Sequence, residues 1–189
     1  MVTVPTMRRL VGSIALACAF TCSVTADQEP AKSRPPVPGQ SPPTADAPFI
    51  GAAAMDGMAE VELGRLASQN ASSPDVKRFA QRMVDDHSKA ADELKGLASK
   101  RDVALATKLD DEHRAVHQKL ARLKGATFDQ AYMAHMATAH LKAVALFQEE
   151  AKAGKDADVK AWAAKTLPTI QEHLKVASSL NATINKAAK

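Results

Sequence analysis

Apolar residues recur at steps of three and four along most of the chain from residue 49 onward. This spacing places them on one face of an α-helix, whereas a half-buried strand would alternate apolar and polar residues. No stretch of the sequence alternates in that way, so the pattern predicts an all-α protein. The three clearest faces are Val76, Phe79, Met83, His87, Ala90, Leu94 and Leu97; Met133, Met136, His140, Val144 and Phe147; and Val159, Trp162, Thr166, Ile170, His173, Val176, Leu180 and Ile184.

Helix start and stop signals divide this part of the chain into five predicted helices. The segment SSPD at residues 72–75 is a helix start, because it supplies a hydroxyl cap, a proline at the first helical position and an acid near the positive end of the dipole. We expect Gly125 to end the third helix, Thr127 to cap the fourth and Pro168 to kink or restart the fifth. The predicted helices cover residues 49–70, 74–100, 107–124, 128–154 and 156–185.

Four of these helices are long and one is short. Short connections favour antiparallel neighbours, so the sequence predicts an antiparallel four-helix bundle with the short extra helix in the crossover. Residues 49–187 form this bundle, and nothing in them is long and apolar enough to span a membrane.

The first 48 residues have a different composition. Residues 1–26 contain no acid, two arginines precede the apolar run 10–24, and Val24-Thr25-Ala26 fits the small-x-small cleavage pattern of a secretory signal peptide. Residues 27–48 are rich in proline and read as a disordered tether. We therefore expect an exported protein of the periplasm or one associated with the outer membrane.

Both cysteines, Cys18 and Cys22, lie within the predicted signal peptide. Cleavage after Ala26 would leave no thiol, which excludes cysteine catalysis and thiolate metal sites. The alternative is that one of the two cysteines carries a lipid anchor at the mature N-terminus. Removal of Arg8 and Arg9 lowers the formal charge from +4 to +2, which is too small to argue for a nucleic-acid partner.

Three histidines, His87, His140 and His173, lie near the middle of three different predicted helices, each on the apolar face. A residue halfway along a helix lies near mid-height in a bundle, so we expect the rings to meet in the interior at a common depth. Glu60 joins them in this prediction, since it lies among small residues of the first helix. A nitrogen-dominated set favours a transition metal such as zinc, copper or nickel. The alternative is that the imidazoles are buried polar groups with a packing role only.

No enzyme motif accompanies these histidines. Carboxylate-bridged di-iron bundles need a glutamate three residues before a histidine, and those positions hold Val84, Ala137 and Ile170. The pair His113 and His117 has a chelating spacing but lacks the glutamate of the hydrolytic zinc motif. We therefore predict no catalytic residues.

Several segments resemble, in order, a bacterial family of exported ferritin-like domains of unknown function, whose members are often labelled outer-membrane or secreted proteins. The resemblance implies a ferritin-like four-helix bundle in the cell envelope, and it brings no assigned reaction. The segments are AEVELG at 59–64, VKRFAQRMVDDH at 76–87 and GATFDQAYM at 125–133, followed by His140, Leu167-Pro168 and His173-Leu174.

Together these observations predict a non-enzymatic helical bundle of the cell envelope that binds a transition metal through its core histidines. One alternative is a structural or interaction protein of the envelope in which the histidines serve packing alone. A second alternative, a metal-dependent redox enzyme, is disfavoured by the missing Glu-x-x-His motifs.

Overall fold

The computed structural model describes residues 45–187, which form five α-helices and no strand. The prediction of an all-α bundle is therefore confirmed for this part of the chain. The predicted signal peptide and all but the last four residues of the predicted tether lie outside the described residues. The helices are α1 (Ala47–Asn70), α2 (Pro74–Ser99), α3 (Asp111–Ala121), α4 (Gly125–Ala153) and α5 (Ala157–Ala187).

The turn between α1 and α2 follows the predicted start signal. Ser73 is the N-cap of α2, and its hydroxyl accepts a hydrogen bond from the backbone N–H of Val76. Asp129 of α4 reaches across and accepts hydrogen bonds from the backbone N–H groups of Ser72 and Ser73 and from the Ser72 hydroxyl. This carboxylate therefore fixes the α1–α2 turn against the first turn of α4.

The boundary between α3 and α4 differs from the prediction. Helix α3 begins later than expected, because the Asp110 carboxylate accepts from the backbone N–H of His113 and caps the helix there. Gly125 does not end α3 but begins α4, with φ at +61°. Thr127 is not the cap of α4, since Lys124 occupies that position without a side-chain hydrogen bond. The chain reverses between the two helices, and the left-handed conformation that this reversal needs is one that glycine adopts readily.

Pro168 neither ends nor restarts α5, which continues from Ala157 to Ala187. Proline removes the hydrogen bond to the carbonyl of the residue four positions earlier. That residue, Ala164, is exposed, so water can replace the lost bond. The helix is also held on both sides of the proline, since Ala163 and Ile170 belong to the same buried cluster.

The interior consists of two apolar clusters, one toward each end of the bundle. Cluster 1 includes Leu63, Phe79, Met83, Phe128, Tyr132, Met133 and Met136, and cluster 2 includes Phe49, Ile50, Leu94, Phe147, Trp162 and Ile170. Helices α2 and α4 run from cluster 1 to cluster 2, and α1 and α5 run the opposite way. The most extensive contacts join α1 to α2 and α4 to α5, while α2 with α5 and α1 with α4 complete the packing.

Close approach of α1 and α2 depends on two glycines of α1, Gly57 and Gly64. A Cβ at Gly64 would lie 2.8 Å from both the Ala80 carbonyl oxygen and Val84 Cγ2. At Gly57 a Cβ would lie 3.8 Å from His87 Nδ1, which is ordinary contact. Helix α1 therefore lies directly against the helix that carries His87. None of the helices formed by residues 45–187 is long and apolar enough to cross a membrane.

Candidate metal site

The structure brings His87, His140 and His173 together where the two apolar clusters meet. Each histidine follows a residue of one cluster and precedes a residue of the other along its own helix, as His140 does between Met136 and Ala143. The ring centroid of His87 lies 5.8 Å from that of His140 and 5.3 Å from that of His173, and the centroids of His140 and His173 lie 5.4 Å apart. One nitrogen from each ring falls within 4.8 Å of the other two.

His140 is fully buried, and its one hydrogen bond identifies which ring nitrogen carries the lone pair. Its Nδ1 lies 3.0 Å from the backbone carbonyl oxygen of Met136, one turn earlier on α4. A carbonyl oxygen only accepts, so Nδ1 carries the hydrogen and Nε2 carries the lone pair. Nε2 is buried and has no hydrogen-bond partner.

His173 is oriented in the same way by a carboxylate. Its Nε2 lies 2.7 Å from Asp86 Oδ2, so Nε2 donates, and the buried Nδ1 is left without a partner. Arg82 donates to the same carboxylate from one turn earlier on α2. Although partial burial raises the pKa of Asp86, the hydrogen bonds from His173 and Arg82 hold it below its ordinary value. Asp86 is thus ionised and positioned to fix the His173 ring, whereas the neighbouring Asp85 accepts from Gln81.

Glu60 lies against two of the three rings. Its carboxylate oxygens are 3.1 Å from His87 Nε2 and 3.4 Å from His140 Nδ1. The His87 nitrogen is so oriented that it forms no hydrogen bond there. The Glu60 residue is only 5% exposed, and this burial raises its pKa to about 7.

Burial also decides the charge of the imidazoles. It lowers the pKa of His87 to about 4 and that of His173 to about 4, and it lowers the pKa of His140 as well. The three rings are therefore neutral at neutral pH, which is the form that binds metals.

The arrangement offers three buried imidazole nitrogens without hydrogen-bond partners, of which those of His140 and His173 carry the lone pair, and the Glu60 carboxylate lies beside them. Zinc–nitrogen bonds of about 2.0–2.1 Å in a tetrahedral site correspond to nitrogens roughly 3.4 Å apart. Small rotations of the rings would bring the three nitrogens from their present spacing to that value. The second nitrogens of His140 and His173 already donate to oxygen acceptors, which is the usual arrangement around metal-bound histidines.

A small cavity of about 40 Å³ adjoins the cluster. Ionisable side chains line part of its wall, namely Asp56, Glu60, Asp86, His87 and His173, and most of the remaining lining residues have alkyl or aromatic side chains. This volume holds about two or three water molecules. The space beside the histidines is therefore sufficient for an ion with a small additional ligand.

The other histidines lie elsewhere. His113 bridges two carboxylates, with Nδ1 2.7 Å from Asp110 and Nε2 3.3 Å from Asp56. His117 is half-buried on α3 and does not join the cluster. Sequence reasoning did not single out His135, which lines a second cavity near Glu60. Its position on α4, five residues before His140, was the one available signal.

A sequence profile described as "Domain of unknown function (DUF4142)" matches residues 31–180. The crystal structure of a DUF305 fragment from Deinococcus radiodurans has a similar fold, with a TM-score of 0.65 and 12% sequence identity over 77% of this chain and 99% of that chain. This likeness concerns the fold alone. None of the curated proteins matches the chain.

Proposed function

The chain belongs to the DUF4142 family, a domain of unknown function, and we propose that it binds one transition-metal ion in the interior of its helical bundle. The ligands are His87 Nε2, His140 Nε2 and His173 Nδ1, with Glu60 as a fourth, carboxylate ligand. Zinc and copper suit this set, because both bind neutral imidazole strongly and accept a single carboxylate beside it.

One observation carries the proposal: each of the three histidines has a buried nitrogen without a hydrogen-bond partner, and these nitrogens lie on facing helices. A buried polar atom without a partner costs about 1–3 kcal/mol. Three such atoms at one place are a large cost for a protein of ordinary stability. An ion shared by the three nitrogens would give all of them a partner at once.

The test is metal binding by the full-length chain, produced without an affinity tag. We expect about one equivalent of Zn²⁺ or Cu²⁺ per chain, measured by mass spectrometry of the purified protein and by titration calorimetry of the metal-free protein. The variants His140→Gln and His173→Gln each remove a ligand nitrogen and should weaken binding by at least roughly 100-fold, since even second-shell changes cost about 10- to 100-fold.

The matched control is His117→Gln, which changes the same residue type on α3 outside the cluster and should keep the affinity. Circular dichroism of each variant reports whether its helices are intact. A wild-type chain that takes up neither metal at micromolar concentration, or a folded His140→Gln variant that binds as the wild type does, contradicts the proposal.

The role proposed for this site is non-enzymatic. Glu60 is the one carboxylate proposed as a ligand, because Asp86 accepts a hydrogen bond from His173, whereas the di-iron bundle motif supplies several carboxylate ligands. The fold proposed for the helices is ferritin-like. Metal-dependent oxidase turnover by the metal-loaded chain would contradict the non-enzymatic role while leaving the binding site intact.

The site of action proposed is the cell envelope. Residues 1–26 have the composition of a signal peptide, and residues 27–48 that of a tether. Cleavage after Ala26 predicts a mature chain that begins at Asp27. Mass spectrometry of the protein from its native cells distinguishes this outcome from a lipid on Cys18 or Cys22 and from an uncleaved chain.

A further inference from the structure

A second cavity, of about 300 Å³, lies between α1, α3 and α4. Like the wall of the small cavity, its wall carries several ionisable side chains, but the cavity is wider. These are the carboxylates of Asp56, Glu60 and Glu112, the imidazoles of His113 and His135, and one ammonium group, that of Lys142.

Glu60 belongs both to this cavity and to the histidine cluster. Its carboxylate lines the cavity and also lies 3.1 Å from His87 Nε2. Asp56 is four residues earlier on α1, so the two carboxylates lie one turn apart on the same side of the helix. The Asp56 side chain is 43% exposed and that of Glu60 is 7% exposed. The two carboxylates therefore lie at successive depths between the protein surface and the buried histidines.

Negative charge is concentrated around Asp56, the more exposed of the two carboxylates. Burial raises the pKa of Asp56, and the charges of Asp110 and Glu112 raise it further, while His113 lowers it. The His113 ring is held between Asp56 and Asp110, at 3.3 Å and 2.7 Å. An arriving cation would meet carboxylate oxygens first, and it would gain a His113 nitrogen by displacing the ring from one of its two carboxylate partners; zinc and copper accept both kinds of ligand.

The small cavity offers a narrower approach. Its volume is about 40 Å³, against about 300 Å³ for the second cavity, although Asp56 and Asp86 also line it. A hydrated cation would have to lose most of its water molecules to enter so small a space. In the part of the chain that the structure describes, the wider cavity is the better path to Glu60.

We propose that the cavity between α1, α3 and α4 is the access route by which a divalent transition-metal ion reaches the three histidines. Asp56 and His113 form an outer, transient binding pair on this route, and Glu60 passes the ion inward. This inference rests on the proposed metal-binding function. The outer pair is transient because, among residues 45–187, only the three histidines bring three ligand atoms within 4.8 Å of one another.

The experiment measures the rates of Cu²⁺ binding to the full-length chain by stopped-flow fluorescence. Trp162 is the chain's single tryptophan and lines the small cavity together with His87 and His173, so Cu²⁺ in the site should quench it. The variant Asp56→Asn removes one negative charge from the route. We expect the association rate to fall about threefold to tenfold, in the range of electrostatic steering effects.

The dissociation rate should fall by the same factor, because a residue on the route alters the barrier in both directions. The equilibrium dissociation constant should then stay within about twofold of the wild-type value. A second variant, Ala139→Leu, adds bulk to the wall of the cavity without touching the contact between Asp56 and His113. It should slow both rates in the same way.

The control is Asp92→Asn, which makes the same charge change on α2 beside a different cavity. It should leave both rates unchanged. Unaltered rates in both Asp56→Asn and Ala139→Leu would overturn the access route while the metal site stands. A faster dissociation with unchanged association in Asp56→Asn would make Asp56 a ligand and also overturn the route. A wild-type chain that binds neither Cu²⁺ nor Zn²⁺ removes the proposed function itself.

Discussion

Lowering the pH should destabilise the metal-free protein through its buried histidines. The pKa of His87 falls from 6.5 to about 4 on burial, and that of His173 also falls to about 4. Between these values the unfolded chain takes up a proton on each ring that the folded chain does not. The stability that depends on these two rings being neutral is therefore fully present above pH 6.5 and is lost as the pH falls toward 4.

The magnitude follows from these values. At about 1.36 kcal/mol for each pKa unit, each of the two histidines costs about 2 kcal/mol between pH 6.5 and 4.5. Glu60 acts in the opposite sense, because its pKa rises from 4.5 to about 7 and the folded chain holds its proton more tightly over this range. Its gain of about 2 kcal/mol offsets one histidine. The remaining net loss is about 2 kcal/mol, and the lowered pKa of His140 adds to it.

The assay is urea denaturation at pH 4.5, 5.5 and 6.5 in the presence of a chelator, followed by circular dichroism. His87→Gln removes one of the two worked contributions and should lose at least about 2 kcal/mol less than the wild type across the range, because the charge of His87 also lowers the pKa of His173. His87 is the suitable choice because it is not among the groups that set the pKa of Glu60. Ile170→Val, a core change beside the site, should lower stability by about 1 kcal/mol equally at each pH. Parallel curves for the wild type and His87→Gln would refute the reasoning.

Two further predictions concern the fold. Gly64→Ala should destabilise the protein by about 1–3 kcal/mol, because the new Cβ would lie 2.8 Å from the Ala80 carbonyl oxygen. A Cβ at Gly51 has nothing within 4 Å, so Gly51→Ala should stabilise α1 by about 1 kcal/mol. Urea denaturation measures both variants, and a gain of stability in both would contradict the close packing of α1 and α2. Asp129→Asn should lower the free energy of unfolding by about 1–3 kcal/mol in the same assay. The buried carboxylate accepts three hydrogen bonds from Ser72 and Ser73, and an amide has fewer acceptor sites. An unchanged denaturation midpoint would show that the α1–α2 turn does not need this carboxylate.

The meeting of the histidines could be derived from the sequence because it depends on two regular quantities. The helical period assigns His87, His140 and His173 to the apolar face of their helices, and their central positions place them at mid-height whichever way each helix runs. The orienting partners could not be derived with the same certainty. Asp85 and Asp86 are adjacent, and helix rotation by a fraction of a turn decides which of them meets His173. The Met136 carbonyl that orients His140 belongs to the backbone and leaves no mark in the sequence.

The helix boundaries failed where one residue type serves two purposes. Gly125 has the left-handed conformation that glycine takes after many helices, yet here it is the first residue of α4. Pro168 was expected to kink or restart α5. It does not restart the helix, because the lost hydrogen bond falls on the carbonyl of an exposed residue and packing on both sides maintains the helix. At Pro168, tertiary contacts decide an outcome that the local sequence leaves open.

The position of the histidines between two apolar clusters bears on why polar residues lie there at all. A leucine or methionine at each of the three positions would join clusters 1 and 2 into one continuous core and avoid the burial of polar nitrogens. The bundle instead keeps three imidazoles and the Glu60 carboxylate at its centre, with Asp86 and the Met136 carbonyl fixing two of the rings. Packing alone gives no reason for three imidazoles whose ligand atoms lie within 4.8 Å of one another, each ring with a buried nitrogen that lacks a hydrogen-bond partner. The proposed ion would account both for the choice of histidine and for the unpartnered nitrogens of the rings that Asp86 and the Met136 carbonyl orient.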